Sequence, residues 1–206
     1  MSSWENLNIQ GNAGQLSCLL LKPDASPQGI AVLLHPNPLH GGSNTNKVIQ
    51  TAAKTLCQQD YLCILPNLRG VGESDGSHDK GIGETDDVMS IVHYAKKAYP
   101  DLSHHLLLGG FSFGGYVACR ATVSVLPQKL LLIGAAVGRY TEPAPPIPDG
   151  VSTLFIQGAE DEVIPLSQVL EWCAPQDLPI VLIPKASHFF HGQLHNLAQA
   201  IERFLI

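Results

Sequence analysis

The sequence predicts an α/β fold, a mostly parallel twisted sheet with helices on both faces, and three observations predict it. Short continuous apolar runs, such as Ile30-Ala31-Val32-Leu33-Leu34 and Leu106-Leu107-Leu108, read as strands covered on both sides. Stretches with apolar residues at helical spacing lie between those runs. Several runs end abruptly in loops rich in Gly, Pro, Asp and His. Strands alternating with helices pack as a parallel sheet wrapped on both sides, and ligands then sit outside the carboxyl ends of the strands.

Taken in order, residues 16–21 form an apolar strand closed by the turn Lys22-Pro23-Asp24, with a weaker strand around 7–9 as a possible pairing partner. The next strand, 29–34, runs into His35-Pro36-Asn37-Pro38-Leu39-His40-Gly41-Gly42, whose two prolines cannot continue a ladder. Residues 46–59 carry Val48, Ala52 and Leu56 on one helical face, and 61–65 return as a strand. A helix over 84–98 buries Val88, Ile91, Val92 and Ala95. A strand then ends at Gly110, and a helix covers 113–125. Strands at 130–134, 151–157 and 180–183, a short helix over 166–173 and a closing helix over 192–205 complete the pattern. In that last helix Leu194, Leu197, Ile201 and Leu205 share a face, while 142–148 is a proline-rich loop.

With 206 residues, 45% apolar and 15% charged, the chain is expected to fold as a single domain over residues 1–206 around one core. Its net charge of −6 comes with sparse, scattered lysines and arginines, which argues against a nucleic-acid partner. Five cysteines without C-x-x-C spacing read as reduced, mostly buried thiols. The N-terminus has no basic segment followed by an apolar run, and the longest apolar stretch, near 130–137, is far too short to span a bilayer. A cytoplasmic location is therefore expected. The oligomeric state leaves no mark on the sequence.

The candidate chemistry centres on Gly110-Phe111-Ser112-Phe113-Gly114, a G-x-S-x-G pattern between a strand and a helix. A serine at so tight a turn has a strained backbone, and glycines two places to either side remove Cβ collisions. The following helix points free N–H groups and its positive dipole end at the hydroxyl, favouring negative charge there. A serine hydroxyl also needs a base to take its proton and a carboxylate to hold that base. Later strand ends supply both. Gly158-Ala159-Glu160-Asp161-Glu162-Val163-Ile164-Pro165 offers Asp161, flanked by Glu160 and Glu162, and Pro184-Lys185-Ala186-Ser187-His188 offers His188, with His191 and His195 beyond it. His188 follows the last strand directly and can reach back over the sheet end.

These segments resemble the triad segments of the α/β-hydrolase superfamily in the chain order Ser, acid, His. More narrowly, residues 35–42 together with Arg69-Gly70-Val71-Gly72-Glu73-Ser74 are similar to small, lidless, carboxylesterase-like serine hydrolases, and the likeness runs from about residue 16 to the end. The resemblance implies Ser112 as nucleophile, Asp161 as acid and His188 as base. It also implies an oxyanion hole of backbone N–H groups, one from Phe113 and one from the loop after strand 29–34. Pro36 and Pro38 have no N–H, which leaves Asn37 or Leu39. Many relatives have His-Gly before the donor; His35-Pro36 stands there in this chain, so Asn37 is the matching position, with Leu39 the alternative. Lids of this superfamily enter after the strand matching 130–134, and residues 135–150 are too few for one, so no lid domain is expected.

The implied activity is hydrolysis of a small-molecule carboxylic ester or thioester through an acyl-enzyme, with no cofactor and no metal. A peptidase or amidase using the same triad is the alternative, and a non-catalytic binding module on the same scaffold is a third reading. His188, His191 and His195 could share a face, yet no compact Asp, Glu or Cys set joins them as metal ligands. Arg69 could meet a substrate carboxylate, but an arginine in such a loop more often ties neighbouring carbonyls together. Gly70-Val71-Gly72 is not a dinucleotide fingerprint, because its next glycine, Gly76, comes one place late and no helix follows. His104 and His105 precede a strand at its opposite end and read as surface residues.

Overall fold

Alternation within the apolar runs decides which helices each strand meets. In β3 (Gly29–Leu34), Ile30, Val32 and Leu34 join one core cluster while Ala31 and Leu33 join the other, because successive side chains point to opposite faces. The structure, a computed structural model, describes residues 3–140 and 142–205. Met1 and Ser2 of the N-terminal segment, Thr141 of the 135–150 segment and Ile206 lie outside the described residues.

The other strands are β1 (Trp4–Gly11), β2 (Gly14–Leu21), β4 (Tyr61–Pro66), β5 (Leu106–Phe111), β6 (Lys129–Ile133), β7 (Ser152–Gly158) and β8 (Ile180–Ile183). They form one sheet in the order β1-β2-β4-β3-β5-β6-β7-β8. β2 is antiparallel to both β1 and β4, and every pairing from β4 to β8 is parallel. The chain leaves β3 for β4 on one side and returns to β5 on the other. The order therefore reverses between β3 and β5, and the crevice at their carboxyl ends is where the topology leaves room for a ligand.

Helices α1 (Lys47–Gln58) and α5 (Leu194–Leu205) cover one face, burying Val48, Ala52 and Leu56 beside Leu197 and Ile201. Helices α2 (Ile82–Ala98), α3 (Phe113–Val125) and α4 (Leu166–Cys173) cover the other, with Val88, Ile91, Val92 and Ala95 of α2 all buried. Leu108 and Leu131, fully buried on opposite faces, illustrate the driving force, since burying one such side chain contributes about 1.5–3 kcal/mol. All five cysteines are buried and none forms a disulfide.

Several bounds differ from the sequence reading, and two of the differences have a clear physical cause. β1 spans eight residues and pairs with β2 from Trp4↔Leu21 to Gly11↔Gly14. As an edge strand it keeps Glu5, Asn6, Asn8 and Gln10 exposed, and that polarity hides it beyond Leu7 and Ile9. Helix α2 starts at Ile82 rather than 84, because the buried Glu84 carboxylate accepts the N–H groups of Gly81 (2.8 Å) and Asp79 (2.9 Å) and anchors an earlier first turn.

Between β6 and β7 the described residues form turns and loop only, with no helix or strand that could make a lid. This segment is tied down by Trp172 Nε1 donating to the Ala144 carbonyl (2.9 Å) and by the Ile147 N–H donating to Gln176 Oε1 (2.7 Å). Among the described residues no helix is long and apolar enough to cross a membrane.

Candidate active site

The turn from β5 into α3 places Ser112 at φ 54° and ψ −116°, a left-handed conformation that a residue with a Cβ rarely adopts. What lets the chain turn there is close approach. A Cβ on Gly114 would stand 2.2 Å from the Leu34 carbonyl oxygen and 2.6 Å from that of His35, and one on Gly110 would meet the Gly114 carbonyl carbon at 2.3 Å. The two glycines let α3 start against the end of β3, the neighbouring strand. The Ser112 N–H donates to the Ile133 carbonyl at 3.0 Å, and the Ser112 carbonyl accepts from Tyr116 (3.2 Å) and Ala136 (3.1 Å). The backbone around the hydroxyl is thus fixed from three elements.

His188 Nε2 lies 3.0 Å from Ser112 Oγ, and His188 Nδ1 lies 2.8 Å from Asp161 Oδ2. With Nδ1–H donating to the carboxylate, Nε2 is left as the acceptor facing the hydroxyl. Asp161 is held by four donors: Val163 N–H (2.9 Å) and Ile164 N–H (2.7 Å) reach Oδ1, while Gln157 Nε2 (3.1 Å) joins His188 on Oδ2. The imidazole rests against Phe111, ring centroids 4.8 Å apart, and against Phe189 edge-on at 5.1 Å. The loop carrying His188 can lie across the end of β7 because Gly158 has no side chain; a Cβ there would be 2.4 Å from the Ala186 carbonyl oxygen. All three residues are buried, Asp161 the most open at 9% exposure and His188 the least at 2%.

A cleft of about 400 Å³ opens over Ser112 and His188, bounded on one side by Pro36, Asn37, Gly41 and Gly42 and on the other by Arg139 and Val163. The Leu39 N–H donates to Asn37 Oδ1 at 2.9 Å, and the Leu39 side chain is exposed away from the cleft. Among the described residues the Asn37 N–H has no acceptor, and the Phe113 N–H belongs to the unpaired first turn of α3. The loop is braced by His35, which is fully buried. Its Nδ1–H donates to the Pro36 carbonyl (2.7 Å), and its Nε2 accepts the Leu68 N–H (3.1 Å). Burial holds the imidazole neutral, lowering its pKa to about 4. Tyr140, beside Asn37, is pushed up to about 12 by burial, against the opposing pull of the Arg139 charge and the Asn37 contact.

The competing residues lie elsewhere. Glu160 and Glu162 are exposed, and Glu162 Oε2 accepts the His188 N–H at 3.2 Å. His191 and His195 are exposed, as are His104 and His105. Among the described residues no group of three or more His, Cys, Asp or Glu side chains could hold a metal ion. Arg69 does not tie carbonyls together; its Nε and Nη2 grip the buried Asp87 carboxylate at 3.1 and 2.7 Å, a partner on α2 that loop composition alone does not reveal. Sequence reasoning passed over Gln157 and Phe111. A glutamine ending the buried run Leu154-Phe155-Ile156 was the available signal, since a buried amide must have a partner. Phe111 carries no signal of its own.

The alpha/beta hydrolase fold family matches residues 32–131. A crystal structure of a serine hydrolase without a lid from Xanthomonas campestris is 33% identical, with 98% of this chain and 94% of that one covered at a TM-score of 0.89. An α/β serine hydrolase homologue from Coxiella burnetii is 32% identical, covering 98% of this chain and 97% of that one at a TM-score of 0.87. An uncharacterized protein of Rickettsia prowazekii (strain Madrid E) is 26% identical over 217 residues, 96% of this chain and 87% of that protein. With identity above 30% sustained over nearly the whole of both chains, this chain belongs to the α/β-hydrolase superfamily and is a hydrolase without a lid domain.

Proposed function

We propose that this hydrolase cleaves carboxylic esters through an acyl-enzyme on Ser112, and the contact that carries the reading is His188 Nε2 at 3.0 Å from Ser112 Oγ with Asp161 behind the imidazole. His188 takes the hydroxyl proton as Oγ attacks the ester carbonyl, and Asp161 steadies the imidazolium that forms. The Phe113 and Asn37 N–H groups receive the tetrahedral oxyanion. The intermediate collapses by breaking the bond to the alcohol, which leaves with the proton from His188. Water then gives a proton to His188 and adds to the acyl carbon. When that second intermediate collapses, His188 returns the proton to Ser112 Oγ and the carboxylic acid departs. The open cleft favours esters that enter without lid movement.

The test is turnover of 4-nitrophenyl butyrate together with labelling by a fluorophosphonate. Ser112→Ala should abolish both while preserving the unfolding transition. Undiminished turnover in that variant would overturn the assignment.

A further inference from the structure

We infer that Arg139 makes this cleft selective for esters that carry an anionic group, a carboxylate in particular, away from the scissile bond; this rests on the acyl-enzyme reading of Ser112. Arg69, Arg120 and Arg139 are used differently. Arg69 is spent on Asp87, and Arg120 on Glu142 at 3.1 Å. Arg139 meets no carboxylate within salt-bridge distance among the described residues. It lines the same cleft as Ser112, and among the described residues one hydrogen bond holds it there, Nη1 donating to the Val163 carbonyl at 2.6 Å. A guanidinium has five N–H donors in a planar fork, so this bond leaves donors to meet a ligand.

Among the described residues no Asp or Glu lines the cleft to compensate this charge, and the exposed carboxylate of Glu162 accepts the His188 N–H instead. The anchor is also well placed. Val163, whose carbonyl holds Arg139, gives its own N–H to Asp161 Oδ1 at 2.9 Å, so the cation is fixed to the backbone that positions the acid. A fixed, unpaired cation beside the nucleophile, in a cleft without anions, attracts an anionic substrate and orients its ester over Ser112.

The experiment compares two ester pairs matched in shape but not in charge: mono-4-nitrophenyl adipate with its methyl ester, and 4-butyryloxybenzoate with its methyl ester. The first carries the carboxylate on the acyl side and the second on the leaving group. Wild-type protein should show a KM lower by about five- to tenfold for the anionic member of at least one pair. That ratio should fall to near one in Arg139→Gln and be partly kept in Arg139→Lys, which preserves the charge without the fork. Raising salt from about 0.05 to 0.5 M should erode the wild-type preference. Equal kcat/KM within both pairs, or a preference that survives Arg139→Gln, overturns the inference. Ser112→Ala serves as the blank throughout. Turnover of the neutral esters in that blank would strike the acyl-enzyme reading instead, so the two failures are distinguishable.

Discussion

Gln157 Nε2 donates to Asp161 Oδ2 at 3.1 Å, on the same carboxylate oxygen that faces His188 at 2.8 Å. The amide also donates to the Ile164 carbonyl at 2.8 Å, so one fully buried side chain at the end of β7 clamps both ends of the acid loop. Replacing it separates two effects. Gln157→Met leaves the Ile164 carbonyl unsatisfied and should cost about 1–3 kcal/mol of stability and roughly tenfold in kcat. Gln157→Glu sets a carboxylate against a carboxylate, and it should cost at least another order of magnitude in kcat at neutral pH, because like charges this close cannot both ionise freely. Equal kcat in the two variants, read beside their urea midpoints, would contradict a role for the amide in orienting Asp161.

Ser112 holds a positive φ of 54° without being glycine, and that conformation costs on the order of 1–3 kcal/mol. Ser112→Ala keeps the Cβ and hence the strain, whereas Ser112→Gly releases it. Both variants should be inactive, with Ser112→Gly about 1 kcal/mol more stable than Ser112→Ala, less the entropy lost in ordering a glycine. Urea unfolding of the two variants measures the difference directly, and a less stable Ser112→Gly would show that the turn is not strained at this residue.

The sheet was legible because its strands are buried on both faces and so appear as uninterrupted apolar runs, and the helices because each carries a clean stripe, as Val88, Ile91, Val92 and Ala95 do. That Ser112, Asp161 and His188 meet could be anticipated because each lies in the turn or short loop just beyond a strand's carboxyl end, where the chain has little freedom to place it elsewhere. What stayed hidden depends on partners distant in sequence. The Arg69–Asp87 pair spans 18 positions between a loop and a helix, and the cation over the cleft, Arg139, comes from a turn whose direction no periodicity sets. The exposed side of β1 was hidden for the opposite reason, as a polar edge strand resembles a loop.

His35 predicts a loss of stability in mild acid. Its folded pKa of about 4 lies below the ordinary histidine value of 6.5 because burial opposes the charge. The unfolded chain therefore takes up a proton near pH 6.5 that the folded chain refuses until near pH 4. The stabilisation is complete above 6.5 and is lost as pH falls through that window, by roughly 3 kcal/mol in all. In His35→Gln this part of the slope should vanish. The check is the difference between the urea midpoints of wild type and variant at pH 7.5, 6, 5 and 4.5; a constant difference would show that His35 titrates normally in the folded state.

Asn37 allows a backbone donor to be deleted with little disturbance, which mutagenesis seldom permits. Its φ of −54° is one a proline ring adopts, and its N–H has no partner among the described residues, so Asn37→Pro removes that N–H without breaking a ladder bond. The Asn37 carbonyl, which accepts from His40 (3.1 Å) and Gly42 (3.0 Å), is retained. The substitution also removes Oδ1, which accepts the Leu39 N–H, so Asn37→Ala is the needed control: it loses the same side-chain contact but keeps the backbone N–H. If the Asn37 N–H receives the oxyanion, Asn37→Pro should fall below Asn37→Ala by about 10²- to 10³-fold in kcat, with a much smaller difference in KM, since the donor acts on charge that develops only in the transition state. If the two variants turn over at the same rate, the second donor lies elsewhere, and the Leu39 N–H, freed from Oδ1 in both of them, becomes the group to remove next.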